Sequence, residues 1–252
     1  MRHTEVVDWR VWKAAQVAAD GPPVYPGGDP VKAGDHVYVI TNLEKSAIGD
    51  VSFVTPSPVA LALNVAISGA NAAERLRRTL KPLPTKQPSQ SRWLGVPRLA
   101  DLYGYFEQCM ITATFSYQAV EAFANQIVIE GLSGTIRLQR RDGPVDLNAQ
   151  EVERRCSTEE KVGTVLPYVT GIASPKGTRL WENLATLKDI RDATIHLKSK
   201  DQYVRGRPDN QTLYFQLLNI EPKTLPTWAI AAIRYFSAPQ SLAWIGGAEA
   251  LL

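Results

Sequence analysis

The segment Leu180-Trp181-Glu182-Asn183-Leu184-Ala185-Thr186-Leu187-Lys188-Asp189-Ile190-Arg191-Asp192-Ala193-Thr194-Ile195-His196 decides how this chain is read. Leu180, Leu184 and Leu187 recur at steps of four and three, the spacing that gathers side chains on one face of a helix. The next position on that face is Arg191 rather than another apolar residue. A guanidinium in an apolar seam must meet an anion, carbonyl oxygens or water, because a stranded charge is strongly destabilising. Such a break in an otherwise consistent pattern marks a candidate functional site. Asp192 and His196 stand four residues apart, so the carboxylate is placed to orient the imidazole and favour its protonated form. Arg191 lies about 140° round the helix from His196 and has the reach to swing into the same cleft.

Working outward, Ser174-Pro175-Lys176-Gly177 reads as a turn and Thr178 as the cap of this helix, which is expected to run to about Lys198. Upstream, Leu99, Leu102, Phe106, Met110, Ala113, Val120, Ala124 and Ile127 recur mostly at three- and four-residue steps until Gly131. They predict one long helix, or two broken near Gly104. Thr135 to Leu138 reads as a short strand, and Ser157 or Thr158 as the cap of a helix beginning Glu159-Glu160-Lys161. Thr224 to Phe236, with Pro226 in its first turn, reads as a buried helix.

The first third is punctuated by proline and glycine. Here His36 to Ile40 and Asp50 to Val54 read as strands. Val59 to Ser68 alternates large and small apolar residues, yet Ser57-Pro58 is a helix opening, so a helix carried through Leu76 is preferred over a strand. Lys81 to Ser91 holds three prolines in eleven residues and reads as a linker. The expected fold class is mainly α: a helical bundle over 93–252 with a small mixed α/β N-terminal segment over 1–92.

At 252 residues, 44% apolar and 21% charged, the composition excludes wholesale disorder and collagen-like repetition. No apolar run approaches the roughly 18 residues that span a bilayer, and Met1 to Glu5 does not open a signal peptide, so the cytoplasm is the default location. A net charge of +3 is too mild to declare a nucleic-acid binder. Its distribution is less even: Arg75, Arg77, Arg78, Lys81, Lys86, Arg92 and Arg98 follow one another with no acid between Arg75 and Arg98. They read equally as a solvated connector or a phosphate-attracting strip. Cys109 and Cys156 lie far apart with no spacing suited to zinc, so neither a metal site nor a cofactor is expected.

Arg191-Asp192-Ala193-Thr194-Ile195-His196 resembles the R-x4-6-H motif of the HEPN superfamily, in which a polar residue usually follows the arginine. Tyr117 to Asn125 resembles the family's earlier helix with its E-x-x-x-N pair, here Glu121 and Asn125. Glu160-Lys161, Lys176-Gly177 and Trp181 fit spacings common in the family, and the resemblance covers about Arg98 to Phe236. With 17 arginines and three histidines, the bare spacing arises by chance about 0.6 times per chain, so this context carries the weight.

The resemblance implies a HEPN-like bundle and a metal-independent endoribonuclease with a toxin or antiviral phage-defence role. It implies a homodimer whose protomers share the cleft, an RNA substrate, and an antitoxin or defence partner, with no membrane involved. Arg191 would clamp the phosphate, His196 would move the proton, Asp192 would orient His196, and Lys198 and Lys200 would meet RNA phosphates. Attack by the ribose 2′-hydroxyl would leave a 2′,3′-cyclic phosphate and a 5′-hydroxyl. Members controlled by a nucleotidyltransferase antitoxin carry a tyrosine two positions after the histidine. That place here is Lys198, so this form of control is not expected.

Taken as residues alone, other readings stay open. Arg191 could pair with Glu121, and Glu121 and Asn125 suit inter-helix hydrogen bonding. His196 could be a polar last-turn residue satisfied by Asp192, and Lys198, Lys200, Arg205 and Arg207 a solvated surface. The whole could be a non-catalytic HEPN-like module that binds RNA or protein.

Overall fold

The computed structural model describes residues 8–16, 19–23, 30–80, 98–197, 201, 212–237 and 243–252. The linker expected over Lys81 to Ser91 lies outside them, as do Lys81, Lys86 and Arg92 of the cationic stretch. The described chain is mainly helical, with three two-stranded antiparallel sheets.

In the N-terminal region β1 (Lys13–Gln16) pairs with β2 (His36–Tyr38), and β3 (Ile40–Ser46) forms a hairpin with β4 (Gly49–Val54). The strand expected over His36 to Ile40 is therefore divided at Val39 between two sheets. Helix α1 (Pro58–Thr79) follows. Ser57 caps it by accepting a hydrogen bond from the Ala60 amide at 3.2 Å, and Pro58 occupies the first turn, where its missing N–H costs nothing.

Helix α2 (Leu99–Gly131) is one unbroken element with no interruption at Gly104. It is the central helix of the bundle: α1 packs along it, and further helices, including α5 (Arg179–Ile195) and α7 (Thr224–Phe236), pack against it as well. The stripe expected along α2 is correspondingly incomplete. Ala113, Val120 and Ala124 are buried as predicted, but so are Tyr105, Cys109, Ser116 and Ala119, because a helix with neighbours on several sides buries more than one face. At Gly69 of α1 a side chain would begin only 2.8 Å from the Thr112 hydroxyl of α2, which shows how closely the two backbones approach. Thus α1, on the N-terminal side of residue 92, shares the bundle's core.

After α2, strands β5 (Thr135–Arg140) and β6 (Gly143–Asn148) form a hairpin that turns Ile136, Leu138 and Leu147 into the core. Helix α3 (Ala149–Arg155) opens with a capping box between Asn148 and Glu151. The next helical run, α4 (residues 158–170), is capped by Ser157 and contains a π-helical turn, Lys161–Val165, between α-helical pieces Thr158–Glu160 and Leu166–Thr170. Arg140 ties the hairpin to this run through Glu160 at 2.7 Å. Thr178 caps α5, as the sequence predicts, but α5 stops at Ile195 rather than near Lys198. Helix α6 (Leu213–Asn219) precedes α7, whose bounds match the predicted ones, and α8 (Ala243–Glu249) packs against α1.

Candidate functional site

Arg191 is carried to the core's edge by the α5 seam. Leu184 and Leu187 are buried, Leu180 is half-buried, and one further turn brings the guanidinium over α2. The side chain keeps 29% of its surface exposed, so it is neither stranded in the core nor loose in solvent. Its guanidinium carbon stands 4.9 Å from the centroid of the Tyr117 ring, a cation–π arrangement.

A chain of charges surrounds this contact. Arg191 Nη1 donates to Asp192 Oδ1 at 2.8 Å, and Lys188 Nζ donates to Asp192 Oδ2 at 2.8 Å. Lys188 Nζ also lies 3.2 Å from Glu159 Oε1, while the Tyr117 hydroxyl donates to Glu159 Oε2 at 3.3 Å. Burial raises the Asp192 pKa, but the hydrogen bonds from Lys188 and Arg191 outweigh it and hold the carboxyl below its ordinary range. The hydrogen bonds to Asp192 and Glu159 raise Lys188, and burial pushes the Tyr117 hydroxyl up to about 12.

Asp192 does not orient His196. Both Asp192 oxygens accept from Lys188 and Arg191, and the His196 ring makes no hydrogen bond among the described residues. The cause is the end of the helix. The His196 amide still donates to the Asp192 carbonyl at 2.9 Å, but φ −117° and ψ 64° take His196 out of helical geometry, so the four-residue spacing no longer aligns the side chains. The imidazole is exposed at the end of α5.

Two cavities flank Arg191 and Tyr117. One, about 300 Å³, is lined by Thr114, Gln118, Glu121, Ala122, Asn125 and Arg191, so the pair predicted on α2 does share a cleft with the arginine. Glu121 forms no ion pair with Arg191, which pairs with Asp192. Asn125 bonds between helices: its Oδ1 accepts from Lys161 Nζ at 2.7 Å, and the same ammonium donates to the Glu153 carbonyl at 2.8 Å. Lys161 is only 1% exposed, and burial lowers its pKa against the opposing influence of Glu121. It opens the π-helical turn, a distortion that occurs often at functional sites. The second cavity, about 250 Å³, is lined by Tyr117 together with Val120, Val162, Trp181 and Leu184, with Glu159, Lys188 and Asp189 also lining it.

Sequence reasoning missed Lys161, Lys188, Glu159 and Tyr117 as members of this network. The Lys188–Asp192 spacing was a usable signal, being a helical four-residue ion pair. The contacts that Lys161 makes with Asn125, and Glu159 with Tyr117 and Lys188, had no local signal, because the groups come from distant segments.

Lys198 and Lys200 lie outside the described residues, as do Arg205 and Arg207. Of the cations before them, Arg77 pairs with Glu221, Arg78 with Glu74, and Arg98 lies 3.8 Å from Asp101. Among the described residues no three His, Cys, Asp or Glu side chains gather as a metal site, and no described helix is long and apolar enough to cross a membrane. No family model matches this chain, and no curated protein or solved structure is detectably similar to it.

Proposed function

We propose that this chain is a metal-independent endoribonuclease of HEPN type, acting as a homodimer in a toxin or phage-defence role. The observation that carries the reading is Arg191: a guanidinium held by Tyr117 and Asp192 at a polar cleft, five residues before an exposed histidine. Arg191 grips the scissile phosphate and stabilises the charge that builds on it in the transition state. His196 moves the proton at the 2′-hydroxyl or the 5′-oxygen. Asp192 positions Arg191 rather than His196, and a second copy of the chain completes the cleft.

The test is cleavage of a labelled single-stranded RNA in excess EDTA by the wild type and His196→Ala, with analysis of the product ends. The reading expects cyclic-phosphate ends from the wild type and none from the folded variant. Undiminished cleavage by His196→Ala refutes it. One observation favours a second reading, a non-catalytic RNA- or protein-binding module: the His196 side chain is absent from the residues lining the Arg191 cleft, so both motif residues could serve structure and binding alone. That reading expects RNA binding without cleavage.

A further inference from the structure

The cavity lined by Tyr117 and Trp181 takes no direct part in the cleavage chemistry above, yet it has the makings of a selective pocket. Its floor is apolar, formed by Val120 and Val162 with Leu184, and its aromatic members are Tyr117 and Trp181. Its charged lining consists of Glu159, Lys188 and Asp189. At about 250 Å³ it suits one small ring system rather than an extended ligand.

Two features narrow the occupant. Both aromatic rings already have a cation near them, Arg191 over Tyr117 at 4.9 Å and Lys176 by Trp181 at 6.0 Å, and Lys188 adds an ammonium to the lining. A cationic guest would meet these charges. The carboxylates, by contrast, retain acceptor capacity. Asp189 is exposed and makes no hydrogen bond among the described residues, while Glu159 accepts one bond at each oxygen and has lone pairs remaining. The combination calls for a neutral planar ring with an edge of N–H donors.

We propose that this cavity is a nucleobase pocket selective for guanine. The N1–H and N2–H2 groups of guanine point to one side and match the two oxygens of a carboxylate, and its ring supplies the apolar faces. Tyr117 lines this pocket and its ring also carries the Arg191 guanidinium at 4.9 Å, so one side chain joins a base held here to the phosphate site. The identification of the guest as an RNA base rests on the ribonuclease reading.

The experiment is titration of the full chain with guanosine, inosine, adenosine, uridine and agmatine, followed by saturation-transfer NMR and calorimetry. Guanosine should bind at least about tenfold more tightly than uridine, and inosine, which lacks the 2-amino group, should fall between them. Asp189→Asn should weaken guanosine about tenfold. Ala185→Trp, which places a bulky group at an exposed lining position, should block it while circular dichroism stays unchanged. Equal affinity for guanosine and uridine, indifference to both lining variants, or preference for the cation agmatine each overturns the proposal. Guanosine selectivity in a chain that cuts no RNA would keep the pocket and discard the ribonuclease. His196-dependent cleavage without guanosine selectivity would do the reverse.

Discussion

Replacing Arg191 by alanine separates a structural arginine from a catalytic one, because the two roles predict losses of different size. Structurally, the variant gives up a cation–π contact at 4.9 Å from Tyr117, worth about 0.5–1 kcal/mol at a partly exposed site. It also gives up a partly exposed ion pair to Asp192 at 2.8 Å, worth about 0–1 kcal/mol. The sum, about 0.5–2 kcal/mol, should lower Tm by about 1–8 °C for a chain of this size. If Arg191 stabilises the transition state, its removal costs about 2.7–4 kcal/mol of barrier, a rate loss of about 100- to 1,000-fold. The assay is scanning calorimetry beside single-turnover RNA cleavage at a temperature where every variant is folded. Arg191→Lys should retain more stability than the alanine variant but little of the rate, since an ammonium lacks the planar fork that grips two phosphate oxygens. Cleavage by Arg191→Ala within about threefold of wild type would refute the assignment of Arg191 to the phosphate.

Gly69→Ala should destabilise the fold by about 1–2 kcal/mol in urea titrations, because overpacking outweighs the roughly 0.5–1 kcal/mol that alanine gains in a helix. The new methyl would sit 2.8 Å from Thr112 Oγ1 and 3.2 Å from the Gln108 carbonyl, and Thr112 is itself held to that carbonyl at 2.7 Å. A neutral result would refute the close α1–α2 approach. Asn125→Ala should cost about 1.5–3 kcal/mol, since it leaves the buried Lys161 ammonium with the Glu153 carbonyl alone. Adding Lys161→Met should restore much of that loss by removing the charge, and a purely additive double variant would argue against the coupling. Asp192 has a lowered pKa in the fold, so its contribution to stability is present above about pH 4 and is lost as pH falls through the folded value. The stability gap between wild type and Asp192→Asn should therefore narrow from pH 6 to pH 3 in urea unfolding at about those two values, and a constant gap would refute the pairing.

The elements most legible in the sequence were those with local instructions. Thr178 sets the start of α5 by a side-chain bond to the Trp181 amide, and Ser57-Pro58 resolves the helix-or-strand ambiguity of α1 in favour of helix. Thr224 to Phe236 matches α7 residue for residue, since Pro226 in the first turn and a continuous apolar run act within a few residues. Arg191 stood out for the same kind of reason, as a charge where a seam of leucines called for an apolar residue.

The arrangement around Arg191 was decided elsewhere. Helical spacing allows Asp192 to reach either Lys188 or His196, and the end of α5 at Ile195 settles the choice in favour of Lys188. Nothing within a few residues of Lys161 names Asn125 and the Glu153 carbonyl as its partners, and the π-helical turn that buries it depends on how α4 packs. The sharing of one core by α1 and α2 is likewise a matter of fit between distant backbones at Gly69 and Thr112. Propensity, capping and periodicity act along the chain and survive as sequence patterns; the partner a charged or polar group finds depends on which surfaces the folded core brings together.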